Sequence, residues 1–170
     1  DVGSAGIGTL THLAIGLFEE RTGVRLNHVP YRGGAPMLQD LLAGQISAAF
    51  VLSGVVAPHV TDGKVRGLAI ANRRREPILA NVPTMQEAGV KELRAAIWFG
   101  LFAPAATPGP LLDRLHGAAQ NALRDSEVRR LWAEQGARVE LESRAEFASF
   151  VARETERWSR IAKAANVRLE

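Results

Sequence analysis

Cysteine is absent from the 170 residues. That removes disulfides, thiolate nucleophiles and cysteine-ligated zinc, and it fits any compartment. Aromatic residues are sparse, with Tyr31 the single tyrosine beside three tryptophans and six phenylalanines. No apolar run approaches the ~20 residues that would span a bilayer. A dominant charge is missing too: 21 basic residues stand against 18 acidic ones for a net charge of +3, and the only dense basic run is Arg73-Arg74-Arg75. A nucleic-acid reader needs a basic stripe with interleaved aromatics, whereas a short arginine run reads as a solvated loop, so no nucleic-acid partner is expected. The chain opens on Asp1-Val2-Gly3-Ser4 without a basic and apolar leader. A mature or trimmed exported protein would open the same way, so this sets no compartment.

What is present is the balance of a folded domain, 46% hydrophobic and 23% charged, with enough length for one domain or two small lobes. Leu10, Leu13, Ala14, Leu17 and Phe18 recur on one helical stripe, with Thr9 as N-cap and Gly23 as the left-handed stop. Val24–Val29 reads as a strand. A helix is expected from about Pro36, burying Leu38, Leu41 and Leu42 and ending at Gly44. Ile46–Leu52 reads as a strand covered on both faces, followed by a short helix over Val55–Thr61 and a strand over Val65–Ala71. Alternation of helix and strand predicts an α/β sandwich with a mostly parallel sheet.

Residues 72–83 form a polar, basic, proline-broken loop. Thr84–Glu87 has capping-box spacing and predicts a short helix ending at Gly89. Ala96–Ala103 reads as a long buried strand. The tail is then helical: one helix capped by Thr107-Pro108, a shorter one capped by Ser126 and stopped by Gly136, and a third opened by the box Ser143–Glu146. The last carries Phe147, Phe150, Val151, Trp158 and Ile161 on one face, and a brief strand over Val139–Leu141 precedes it. The boundary between the two parts falls near residues 90–96.

Two segments can carry chemistry. Gly3-Ser4-Ala5-Gly6-Ile7-Gly8-Thr9 leads into the first helix, where free amides and the macrodipole favour an anion by ~0.3–1 kcal/mol. The other reading is a tight turn plus a cap. The loop lacks the lysine of a phosphate-binding P-loop and the third glycine of a dinucleotide fingerprint, and no strand is expected before it. Tyr31-Arg32-Gly33-Gly34-Ala35-Pro36 follows a strand and opens a helix at the carboxyl edge of the sheet, where α/β proteins place ligands. Gly33, Gly34 and Ala35 can offer amides there, and Tyr31 or Arg32 can reach an oxyanion. Two such helix starts in succession suggest one shared anion pocket. Nucleophile elbows, His-Glu-x-x-His and paired carboxylates are missing, so no cofactor, metal or catalytic residue is expected. His12, His28, His59 and His116 are scattered, and His12, one turn inside the first helix, can face the pocket or serve as a hydrogen-bonded structural residue. Trp98, Trp132 and Trp158 fit packing roles.

In order, Ser4-Ala5-Gly6-Ile7-Gly8-Thr9 with His12-Leu13, His28-Val29-Pro30-Tyr31-Arg32-Gly33-Gly34-Ala35-Pro36, Asp40–Gln45, Pro58-His59, Gly63–Arg66, Val82-Pro83-Thr84 with Glu87-Ala88-Gly89, and Trp98–Pro104 resemble the tripartite tricarboxylate transporter receptors, the Bug-type solute-binding proteins. The likeness runs from about residue 3 to the end. It implies a type II periplasmic-binding-protein fold of two α/β lobes closing on a ligand. It also implies that the amino-terminal part of that fold lies outside this chain. Residues 1–95 would be one complete, ligand-binding lobe and residues 96–170 the carboxyl-terminal helical segment of the other, whose open face invites self-association.

By the same resemblance, a small carboxylate would be held by Ser4, Ala5, Gly6, Gly8 and Thr9 and by Tyr31, Gly33, Gly34 and Ala35, without catalysis. The partners would be the membrane components of a tripartite transporter and the location the periplasm. Where many relatives carry Asp-Asn this chain has Val51-Leu52, so the ligand is expected to lack an ammonium group. Two alternatives remain: an enzyme using the Ser4–Thr9 loop as an oxyanion hole, for which no nucleophile or base is evident, and a binding-incompetent fragment.

Overall fold

The structure is a computed structural model describing residues 1–164; residues 165–170 of the expected 96–170 segment lie outside the described residues. Three short strands, β1 (Val2–Ser4), β2 (His28–Pro30) and β3 (Ala48–Ala49), pair in parallel in the order β2-β1-β3. Helices α1 (Leu10–Thr22), α2 (Gly34–Leu42) and α3 (Ser53–Thr61) each follow one of these strands. A 3-10 turn at Pro77–Leu79 comes next, and then α4 (Gly109–Arg124), α5 (Ser126–Glu134) and α6 (Arg144–Ala164). The α/β class with a parallel sheet is as expected.

The central strand is the one the sequence hid, since a strand does precede the glycine loop. β1 is only three residues long with Gly3 at its middle, so it shows no alternation to read. Gly3 is there for clearance. A Cβ on it would lie 2.6 Å from Ile46 Cδ1 and 2.9 Å from Met37 Cγ, so α2 lays its buried methionine directly on the strand backbone.

α1 starts and stops as predicted. The Thr9 hydroxyl accepts from the His12 amide, and Gly23, at φ 72°, donates its N–H to Glu19 O. Ile15 is buried along with Ala14 and Leu17, because α1 is covered on two sides. Leu17 meets Leu93 and Ile161 in a cluster flanked by Leu13, Phe18, Val90 and Trp158, which clamps α6 onto α1. A second cluster of Ala57, Ile70, Leu79 and Val82 seats α3 on the 3-10 turn.

Several expectations fail for one reason: pairing is not a local property. Of Val24–Val29 only the end is strand, of Ile46–Leu52 only two half-buried alanines, and of Val65–Ala71 only a bridge from Ile70 to Thr84. Val139–Leu141 is irregular. Ala96–Ala103 is neither strand nor buried, with Phe99 70% and Leu101 72% exposed. No described segment offers its backbone a ladder. It is held by aromatic contacts instead, Trp98 to Phe150 at 5.3 Å and Phe102 to Phe147 at 5.5 Å between ring centroids.

Smaller corrections concern helix starts. α2 begins at Gly34. α4 has Pro108 at its N-cap with no side-chain bond. For α5 it is Asp125, not Ser126, that accepts from the amides of Glu127 and Val128. The box at Ser143–Glu146 forms reciprocally (Ser143 N to Glu146 Oε2 2.8 Å, Glu146 N to Ser143 Oγ 3.2 Å) and opens α6. The same bonds form at Thr84–Glu87 but close only a turn.

Candidate functional site

β1, β2 and β3 all deliver their chains to the carboxyl edge of the sheet, where α1, α2 and α3 begin. Open α/β sheets hold ligands in a crevice outside the carboxyl ends of their strands, and here the loops after the neighbouring strands β1 and β3 flank that position. The Ser4–Thr9 loop forms one wall of that crevice. The segment through Val51, anchored by Phe50 N donating to Gly3 O at 3.2 Å, forms the other.

The two glycine-rich loops are stitched together. Tyr31 N donates to Ser4 O at 3.0 Å and Gly33 N to Ala5 O at 3.1 Å. Gly6 is required at this seam, since its φ of 133° suits only glycine and a Cβ would sit 3.0 Å from Tyr31 O. Tyr31 points its hydroxyl elsewhere, to Asp40 Oδ2 at 2.8 Å, and that hydrogen bond raises its phenol above the ordinary value.

Many of the nominated amides are therefore already engaged. Ala5 N donates to Thr11 Oγ1 (2.9 Å), Gly6 N to Ser4 Oγ (3.3 Å), Gly8 N to His12 Nδ1 (3.1 Å) and Thr9 N to Gly6 O (3.3 Å). The Thr9 hydroxyl donates to Gly6 O at 2.6 Å. Among the described residues, the amides of Ile7, Leu10 and Thr11 at the start of α1, and of Gly34 and Ala35 at the start of α2, have no protein acceptor. Leu10, Thr11, Gly34 and Ala35 are orphan donors of two helix N-termini, Ile7 adds an amide of the preceding loop, and these are what an anion can use.

Beneath the loops lies a cluster that sequence reasoning only half found. Ser4 is fully buried, with Oγ 2.6 Å from His28 Nε2. The His28 ring stacks on His12, centroids 4.2 Å apart and planes 13° from parallel. Burial lowers the pKa of His12. Burial and then the charge of His12 lower that of His28, against an upward pull from Glu19. His28 and Asp40 stand in segments that carry the family resemblance but were given no role there, Thr11 carried no signal, and it is the fold that brings them here. The Ser4–His28 contact is the pair an esterase would need, but with 0% exposure the Ser4 hydroxyl is closed to any substrate. On the loop after β1, Ile7 is 58% exposed, and after β3 Leu52 and Val55 are exposed as well. Val51 puts no charge there. Among the described residues no group of three or more potential ligands could hold a metal ion.

Comparison with known proteins agrees with this architecture. The chain is 32% identical over 164 residues to protein BugT of Bordetella pertussis, covering 96% of this chain and 50% of BugT. The structure of R. palustris Rpa4515 with adipate superposes with a TM-score of 0.79 at 32% identity, over 98% of this chain and 56% of that one. MatC from Rhodopseudomonas palustris with bound malate gives 0.76 at 33% identity, over 94% and 55%. This chain thus spans about half the length of these proteins. The family model of the tripartite tricarboxylate transporter family receptor matches residues 1–167. With the parallel sheet, the paired helix starts and that match over nearly the whole chain, the protein belongs to the tripartite tricarboxylate transporter receptor family.

Proposed function

We propose that this chain is the ligand-holding part of a periplasmic, non-catalytic receptor that captures a small carboxylate for a tripartite transporter. In this reading residues 1–95 are the binding lobe and residues 96–170 belong to the other lobe. The observation that carries it is the pair of helix starts whose amides at Ile7, Leu10, Thr11, Gly34 and Ala35 lack protein acceptors. They stand on loops stitched to each other, and both macrodipoles favour an anion there. Relatives described with adipate and with malate support a carboxylate.

The rim supports a ligand class. Ile7 after β1 and Val51, Leu52 and Val55 after β3 present apolar surface and offer no carboxylate to an ammonium. A plain mono- or dicarboxylic acid fits this, and an amino acid would bury its charge unpaired. The test is calorimetry on the protein at its natural length with adipate, malate and aspartate. Binding of either diacid, with aspartate weaker or absent, is expected. Tight binding of aspartate with neither diacid bound would refute the reading.

In the 170-residue chain alone, we further propose that the apolar segment carrying Phe99 and Leu101 drives self-association.

A further inference from the structure

We propose that His12 and the Gly8 amide form a proton-gated clamp, so that capture of a carboxylate at this site takes up a proton. The inference rests on the carboxylate reading above. Gly8 N–H donates to His12 Nδ1 at 3.1 Å, so that nitrogen is an acceptor and the imidazole is neutral. An incoming carboxylate then finds the Gly8 amide occupied. A proton on Nδ1 reverses this: the two nitrogens become two donors side by side, and only an anion between them satisfies both.

Three features keep the proton off until an anion arrives. His12 sits in the first turn of α1, whose N-terminal dipole repels a cation. His28 stacks on it at 4.2 Å, so two imidazolium rings would repel each other. Both rings are partly withdrawn from water, which depresses both from their ordinary 6.5. The facing groups are few. From β1, Ser4 Oγ meets His28 Nε2 at 2.6 Å. From α1, Glu19 attracts a proton to His28, but Glu19 is also paired with Arg25 at 3.6 Å and accepts from Leu26 N at 2.7 Å. From α2, Asp40 is engaged by Tyr31. A bound carboxylate is therefore the largest change in charge that His12 meets, and it raises the imidazole's proton affinity.

Linkage fixes the sign. The liganded state binds more protons than the free one, so affinity rises as pH falls, by at most about tenfold per pH unit for one proton. The test is isothermal titration of the natural-length protein with adipate and with malate from pH 5.5 to 8, in buffers of different ionisation heat. Uptake of up to one proton per carboxylate is expected, together with a Kd that weakens toward high pH. His12→Phe and His12→Asn, each checked for a cooperative melt, should lose the uptake and the pH dependence, binding more weakly than the unsubstituted protein at the low end of the range. Binding by the unsubstituted protein with no uptake at any pH overturns the clamp and leaves the receptor reading standing. Absence of binding at every pH sinks both. Independently, NMR of the ligand-free protein should show the Gly8 amide moving with the His12 titration, and a Gly8 amide indifferent to it also overturns the clamp.

Discussion

Replacing Gly6 with alanine tests whether the two loops are held as one unit. Gly6 and Gly33 both adopt positive φ, 133° and 113°, so alanine at either is strained by about 1–3 kcal/mol. They differ in surroundings: a Cβ at Gly33 meets nothing within 4 Å, whereas at Gly6 it lies 3.0 Å from Tyr31 O. The Tyr31 carbonyl cannot yield freely, because Tyr31 N is bonded to Ser4 O and its hydroxyl to Asp40. Relieving the contact means prising the β2–α2 loop from the β1–α1 loop and loosening a hydrogen bond worth about 0.5–1.5 kcal/mol. Gly6→Ala should therefore cost about 1 kcal/mol more than Gly33→Ala. On a domain of this size that is an extra fall of roughly 2–4 °C in Tm. The ring signals of Tyr31, the only tyrosine, should move in Gly6→Ala and stay put in Gly33→Ala. Equal melting of the two variants, or an unmoved Tyr31, would refute the idea that the seam is tight.

Three further outcomes follow from the geometry. Because Tyr31 is the sole tyrosine, ultraviolet titration reads its phenol cleanly; Asp40→Asn should bring it down toward the ordinary 10.0, and an unchanged curve would deny the hydrogen bond. Glu87 is held at about 2 by Arg75, whose Nε donates at 3.0 Å, and then by the Thr84 amide. Its folded pKa is depressed, so what it lends the Thr84 turn is present above the ordinary 4.5 and lost as pH falls through about 2; carboxyl NMR should show this, with Arg75→Gln shifting the titration upward. Phe99→Glu with Leu101→Glu should convert an associating 170-residue chain into monomer on size exclusion, and a chain that is monomeric without the changes contradicts the proposed apolar contact.

Helices were legible in the sequence because their signals are local. The Leu13, Ala14 and Leu17 stripe, the Thr9 cap and the Ser143–Glu146 box all lie within a few residues of what they build. Strands were not. The alternation or apolar run that marks a strand says nothing about whether a neighbour exists, and Ala96–Ala103 has the composition of a buried strand without any described partner. Val2–Ser4 is the reverse case, a poor pattern that becomes the sheet's centre because Gly3 lets Met37 and Ile46 close over it. The site was legible to the same degree. Glycine-rich helix starts announce themselves, but His28, Thr11 and Asp40 enter it only through the β1–β2 register and the turn of α1 and α2, which no spacing rule encodes.

The same division bears on where the proposed receptor would draw its selectivity. An anion at one helix start gains only about 0.3–1 kcal/mol from the dipole, and every carboxylate collects it. Selectivity must come from donors held still and from what surrounds them. The bonds from Tyr31 N to Ser4 O and from Gly33 N to Ala5 O spend two amides to fix the separation of the two helix starts. In the proposed site the amides left over would be presented without the freedom to follow a ligand of the wrong length. In the proposed receptor, Ile7 on the loop after β1 and Val51-Leu52 after β3 would then sort ligands by their bodies, accepting carbon and leaving an ammonium without a counter-charge. In the proposed receptor the backbone would read the charge and the side chains where β1 and β3 release their loops would read the rest.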